Sequence, residues 1–185
     1  YGENKPNEKQ FVETDIPYHD FLGETCKLWE ESINPVETLG IRLVKFRTGI
    51  VLSKNGGALT EFAKPLKLGI ATIFGSGNQT VSWVHSEDLC NMYLFAIENN
   101  LLQGVFNAVA PQPVTNKQLI LALAKIKRNK FFIPVHIPAF ILKFILGEMS
   151  IEILKSVNVS SQKIQQQGFS FSFASIENAF KNLLN

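Results

Sequence analysis

Short β-rich runs alternate with amphipathic helical runs along this chain, and that alternation restricts the possible folds most. Leu22, Cys26, Trp29 and Ile33 recur at helical spacing behind Asp20, a residue type that caps helices, and Asn34-Pro35 ends the run. Ile41 to Arg47 then reads as a strand, broken at Thr48-Gly49 and resumed at Ile50-Val51-Leu52. Residues 58–68 around Pro65 predict a short helix. Ala71 to Phe74 predicts a strand closed by the turn Gly75-Ser76-Gly77-Asn78. Thr80 to His85 is β-rich, and Ser86 is a candidate cap for a helix running to Asn99. Val105 to Val109 is a short buried strand, and Thr115 with Gln118 forms a capping-box pattern ahead of Leu119, Ala122, Leu123 and Ile126. Phe131 to Pro134 reads as a strand end, Pro138 to Gly147 as a helix, and residues 148–156 as a shorter one. Ser161 caps a further turn or two. Phe169, Phe171 and Phe173 alternate with Ser170 and Ser172, a two-residue period that predicts a strand, and Ser175 caps a last helix. Strands alternating with helices imply an α/β fold with a largely parallel sheet. The stretch after about residue 111 is mainly helical and predicts a small second lobe.

Composition narrows the class further. The 185 residues are 45% hydrophobic and 18% charged, too apolar for a disordered chain and long enough to bury a core without staples. Cys26 and Cys90 are the only cysteines, which excludes a disulfide framework or a thiolate zinc site and points to a reducing, cytoplasmic setting. His19, His85 and His136 are scattered, and no metal site is expected. The net charge of +2 recruits neither nucleic acid nor membrane. It is unevenly spread: residues 1–37 carry nine acids against three bases. That arm reads as an exposed loop and a helix face. The chain begins Tyr1-Gly2-Glu3 with no basic or apolar leader, and reads as processed or truncated rather than as carrying a signal peptide. The longest apolar run, Pro138 to Leu146, is too short to span a membrane and is expected to cover the rest of the protein.

No single catalytic motif stands out: GxxxxGK[ST], HExxH and GxSxG are all missing from the sequence. The order of weaker segments is more telling. Tyr1-Gly2 precedes a helix ending Trp29-Glu30; a strand ends Arg47-Thr48-Gly49-Ile50-Val51; Gly75-Ser76-Gly77-Asn78-Gln79 leads to Trp83-Val84-His85 and Asp88; Val105-Phe106-Asn107 precedes Pro113-Val114-Thr115. This succession resembles the second half of an extended short-chain dehydrogenase/reductase. Residues 113–185, with PVTNKQ, IPVHIPAFILKFILGEM and GFSFSFASIENAFKNLL, resemble the small C-terminal domain of the atypical, epimerase-like branch of that family.

The resemblance implies residues 1–111 as the C-terminal half of an NAD(P)-binding Rossmann-like domain, its parallel sheet doubly wound, and residues 112–185 as the small C-terminal domain. It implies an NAD(P) cofactor approached by Tyr1, Gly2, Arg47, Thr48 and Gly49. A small-molecule substrate, of which a nucleotide sugar is one kind, would lie against Gln79, Ser82, Trp83 and His85. It also implies a homodimer through the helix over residues 20–33. Two departures qualify the chemistry. The GxxGxxG loop that cradles a dinucleotide pyrophosphate is missing from this sequence, so the cofactor is expected to be held mainly by an N-terminal part outside it. The usual Tyr-x-x-x-Lys pair, aligned on Glu30, falls on Leu22 and Cys26, neither of which can replace it. The catalytic residue is therefore open, with His85 the candidate acid, and the expected activity is NAD(P)-dependent epimerisation or oxidoreduction. The alternative is a non-catalytic nucleotide-sensing or protein-interaction module on the same scaffold.

Overall fold

The computed structural model describes residues 10–129 and 131–184. Helix α1 (Phe21–Ile33) starts where the cap predicts: Asp20 Oδ1 accepts the Gly23 N–H at 2.7 Å. A 3-10 turn over Asn34–Leu39 follows. Strands β1 (Val44–Thr48) and β2 (Ile50–Leu52) are separated only by Gly49. Helix α2 (Ala58–Ala63) and a 3-10 turn over Pro65–Leu68 lead to β3 (Ile70–Phe74). Then come β4 (Thr80–Val81), β5 (Trp83–His85), α3 (Ser86–Glu98), β6 (Gly104–Ala108), β7 (Val114–Thr115) and α4 (Asn116–Arg128). The remainder holds β8 (Ile133–Ile137), α5 (Ala139–Leu146), α6 (Met149–Leu154), α7 (Gln162–Gln166) and α8 (Ile176–Leu184).

Three strand pairs are parallel, β1 with β6, β2 with β5 and β3 with β8, and β4 pairs antiparallel with β7. At Gly49 the chain changes partner. Its N–H donates to the Ala108 carbonyl at 3.2 Å, and the next N–H, of Ile50, donates to the Ser82 carbonyl at 2.9 Å. A Cβ on Gly49 would lie 2.6 Å from the Ser82 oxygen and 2.8 Å from Val109 Cγ1, so only glycine lets the two backbones approach this closely. The larger apolar core joins Leu52, Leu66, Ile73 and Trp83 to Leu123 of α4 and Phe180 of α8. It draws on both sides of residue 111. A second core gathers Met92, Leu102, Phe106, Ile164 and Phe169. The capping box of α4 forms as its residues predict, with Gln118 N–H donating to Thr115 Oγ1 and Thr115 N–H to Gln118 Oε1.

Four expectations need correction. The Phe169–Phe173 alternation does not make a strand. Buried Asp88 accepts the Ser172 and Phe173 N–H groups at 2.8 and 3.0 Å, so a carboxylate takes the donors that a neighbouring strand would otherwise occupy. Ser86 does not cap α3; His85 does, its Nδ1 accepting the Glu87 N–H at 3.1 Å. Helix α5 buries Leu142 and leaves Phe140, Phe144 and Ile145 exposed, so it covers less of the protein than its apolar sequence suggests. The acidic arm is not simply solvated. Glu13, Asp20 and Glu30 each bond to the body of the protein, through the Asn107 N–H, Lys155 and Arg47 respectively.

Replacing Asp88 with Ala strands two backbone donors. The Asp88→Ala variant should lose about 2–3 kcal/mol of stability, read as a lower urea midpoint at unchanged slope.

Candidate functional site

The partner change at Gly49 places Thr48, Gly49 and Ile50 at the junction of two strand pairs. Beside it lies a cavity of about 460 Å³. One wall is the carboxyl edge of the parallel strands, where α/β sheets place ligands: Thr48, Gly49 and Ile50, with Asn107 and Val109 from β6 and its extension. Phe11 to Ile16 form a second side. Ile153, Lys155, Val157 and Val159 close the third.

Hydrogen bonds fasten these sides together. The Phe11 N–H donates to the Asn158 carbonyl at 2.8 Å and the Ser160 N–H to the Phe11 carbonyl at 2.9 Å, a parallel bridge between segments far apart in sequence. The buried Ser82 hydroxyl donates to the Val157 carbonyl at 2.8 Å and accepts the Val159 N–H at 2.9 Å. Asn107 Nδ2 donates to the Ser160 carbonyl at 3.1 Å. Gln79 Nε2 donates to the Phe74 carbonyl at 3.0 Å, with a longer contact of 3.4 Å to that of Ile153.

Both cations of the wall are engaged by carboxylates. Arg47 Nε and Nη2 donate to the Glu30 carboxylate at 2.7 and 2.9 Å, the planar fork that suits guanidinium, while Nη1 donates to the Glu13 carbonyl at 2.9 Å. Lys155 Nζ lies between Asp20 Oδ2 and Glu152 Oε1, the latter at 2.6 Å. The Lys155 bond, then the Gly23 N–H, holds the Asp20 carboxyl below its usual range. Burial pushes the Lys155 ammonium down, but its bonds to Asp20 and Glu152 outweigh this and its pKa rises. Thr48 and Thr80 also line the cavity, and their hydroxyls make no hydrogen bond to described residues.

The structure brings together Arg47, Thr48, Gly49 and Ser82 of the residues singled out in the sequence. It does not bring the others to the same wall. Gln79 stands behind it and braces Phe74. Trp83 is wholly buried in the larger core, its Nε1 donating to the Gln112 carbonyl at 3.0 Å. The His85 ring stacks on Phe173 at 3.8 Å, and burial pushes its pKa down, which favours the neutral ring. His85 and Cys90 instead line a separate, shallower depression with Asn182. Tyr1 and Gly2 lie outside the described residues. Leu22 and Cys26 do not line the cavity. The loop at 11–16 and the segment at 152–159 carry no sequence signal for the site; long-range contacts alone bring them there. No group of three or more His, Cys, Asp or Glu able to hold a metal occurs among the described residues.

Fold and cavity together define a Rossmann-like α/β protein with a cavity at the carboxyl edge of its parallel strands. The family of the domain of unknown function DUF1731 matches residues 137–183. The chain is 36% identical to the epimerase family protein YfhF of Bacillus subtilis over 178 residues, 96% of this chain and 58% of that protein. It is 35% identical to the epimerase family protein SAR0825 of Staphylococcus aureus over 92% of its length and 56% of the relative's. Its fold matches the crystal structure of human epimerase family protein SDR39U1 with NADPH at TM-score 0.80 and 30% identity, covering 89% of this chain and 55% of that one. A nucleoside-diphosphate sugar epimerase from Corynebacterium glutamicum matches at TM-score 0.76 and 27% identity, covering the whole of this chain and 35% of the other. The chain is similar to the C-terminal part of atypical, epimerase-like short-chain dehydrogenase/reductases. It spans a little over half the length of the curated relatives it matches.

The Asp20–Lys155 pair makes stability depend on pH in a set direction. A carboxyl with a depressed folded pKa contributes stability above its unfolded value, 3.8, and loses it as the pH falls through the folded value. The wild-type melting temperature should therefore fall below about pH 4. Asp20→Asn should flatten that acid limb while lowering the neutral-pH plateau, read by calorimetry across pH 2–7.

Proposed function

We propose that this chain supplies the substrate side, and part of the nicotinamide side, of an NAD(P)-dependent epimerase- or reductase-like enzyme acting on a small molecule. The observation that carries this reading is the cavity at the carboxyl edge of β1 and β6, lined by Arg47, Thr48 and Gly49. The NADPH in the structure of the human relative supports it. The cavity walls fit the nicotinamide end of the cofactor: a cleft with apolar sides beside backbone that approaches closely at Gly49. They do not fit the pyrophosphate, since Arg47 and Lys155 are both held by carboxylates. The rest of the cofactor falls to the additional length that the relatives have.

When bound, the cofactor supplies hydride transfer. This chain's residues then position the substrate and exclude water. Arg47, fixed by Glu30 and the Glu13 carbonyl, holds the strand end and the loop at 11–16 together, so it acts as a positioning residue. Ser82 fixes the opposite wall through Val157 and Val159. Thr48 and Thr80 offer hydroxyls to a polar group on the substrate. Residues 1–111 and 112–185 are proposed as the two family units, joined here by a common core. The free Cys26 and Cys90 support a reducing, cytoplasmic setting. Exposed Phe21, Leu28 and Trp29 on α1 support a homodimer through that helix. No helix among the described residues is long and apolar enough to cross a membrane.

Titration of the family-length polypeptide with NADPH and NADH, followed by nicotinamide fluorescence, tests the cofactor. Micromolar binding of at least one is expected, and binding of neither refutes the reading. Binding without turnover of any carbonyl substrate favours the sensing alternative, for which the Leu22 and Cys26 replacements speak. Arg47→Ala should cut cofactor-dependent activity by about tenfold or more, with Arg47→Lys only partly restoring it because the bidentate fork is lost.

A further inference from the structure

We infer that the cavity takes an uncharged, largely apolar ligand bearing a carbonyl or hydroxyl, and not a nucleoside diphosphate sugar. The inference rests on the cavity being the substrate site and specifies its ligand class. Three observations carry it. First, half of the lining residues are apolar, Phe11, Ile16, Ile50, Phe62, Ile153 and Val157 among them. Second, neither cation of the wall is available to an anion. Arg47 is paired with Glu30, and Lys155 is shared by Asp20 and Glu152, so these two cations face three carboxylates. Asp15, also in the lining, accepts the Val12 N–H at 2.7 Å and adds a further negative charge. A diphosphate placed here would lose its hydration and meet net negative charge, an arrangement that proteins avoid unless each charge is paired. Third, the polar groups left over are neutral: the hydroxyls of Thr48 and Thr80, Asn107 Oδ1 and Asn116 Nδ2. Hydroxyls satisfy a neutral carbonyl or alcohol, and the volume suits a molecule of modest size.

The test uses the family-length protein and two probes, acetophenone as the neutral ketone and UDP-glucose as the dianion. Each is followed by ligand-observed NMR, with and without NADPH. Acetophenone should bind, and both Ile153→Trp, which fills the cavity, and Thr48→Val, which removes one hydroxyl without changing shape, should weaken it. UDP-glucose should bind wild type more weakly than acetophenone. The double variant Asp20→Asn with Glu152→Gln frees the Lys155 ammonium and should raise UDP-glucose affinity by about tenfold. Three results would overturn the inference: UDP-glucose binding wild type as tightly as acetophenone, acetophenone binding that survives Ile153→Trp and Thr48→Val unchanged, or no gain in the double variant. NADPH retention is read in the same samples and bears on the cofactor alone, so failure of the two readings can be told apart.

Discussion

The structure depends on the close approach at Gly49. Here the backbone exchanges β6 for β5 within two residues, and the missing side chain lets the Ser82 carbonyl and Val109 press against it. The ladder hydrogen bonds continue through the exchange, so it leaves no N–H unpaired at residues 49 and 50. The ends of β1 and β6 then face one cavity. Ser82, whose carbonyl receives the Ile50 N–H, uses its hydroxyl to fix the opposite wall, so one residue links the sheet to the C-terminal segment.

Electrostatics sets the character of that space. The acidic bias of the first 37 residues, read from sequence as exposure to solvent, is in part internal compensation. Glu30 and Asp20 neutralise the two cations that would otherwise attract an anion to the wall. Arg47 and Lys155 thereby become parts of the frame. The favourable terms are local: Arg47 gains a planar two-point contact, and the Lys155 ammonium gains two carboxylates against its burial.

Local signals were legible and distant ones were not. The caps of α1 and α4 lie within three residues of the N–H groups they satisfy, so the sequence displays both partners at once. Arg47, Thr48 and Gly49, which the resemblance implies approach the cofactor, line the cavity at the strand end. The Phe169–Phe173 period was misleading because alternation records which faces are apolar, not what satisfies the backbone, and the acceptor is Asp88, more than eighty residues away. Trp83 and His85 were singled out by their motif, yet one is anchored in the core and the other spends a ring nitrogen capping α3. Lys155 carried no signal, since its partner Asp20 stands 135 residues earlier.

That separation has a consequence for the order of assembly. The wall at 153–159 and the loop at 11–16 are each other's support, and one is made long before the other. At about 5–20 residues per second of synthesis, the loop waits roughly 7–27 s for the segment that holds it. Contacts of such long range also carry a high closure entropy, which places them late in folding. The sheet edge can form first from β1, β2, β5 and β6, but the enclosed site waits for the segment at 153–159.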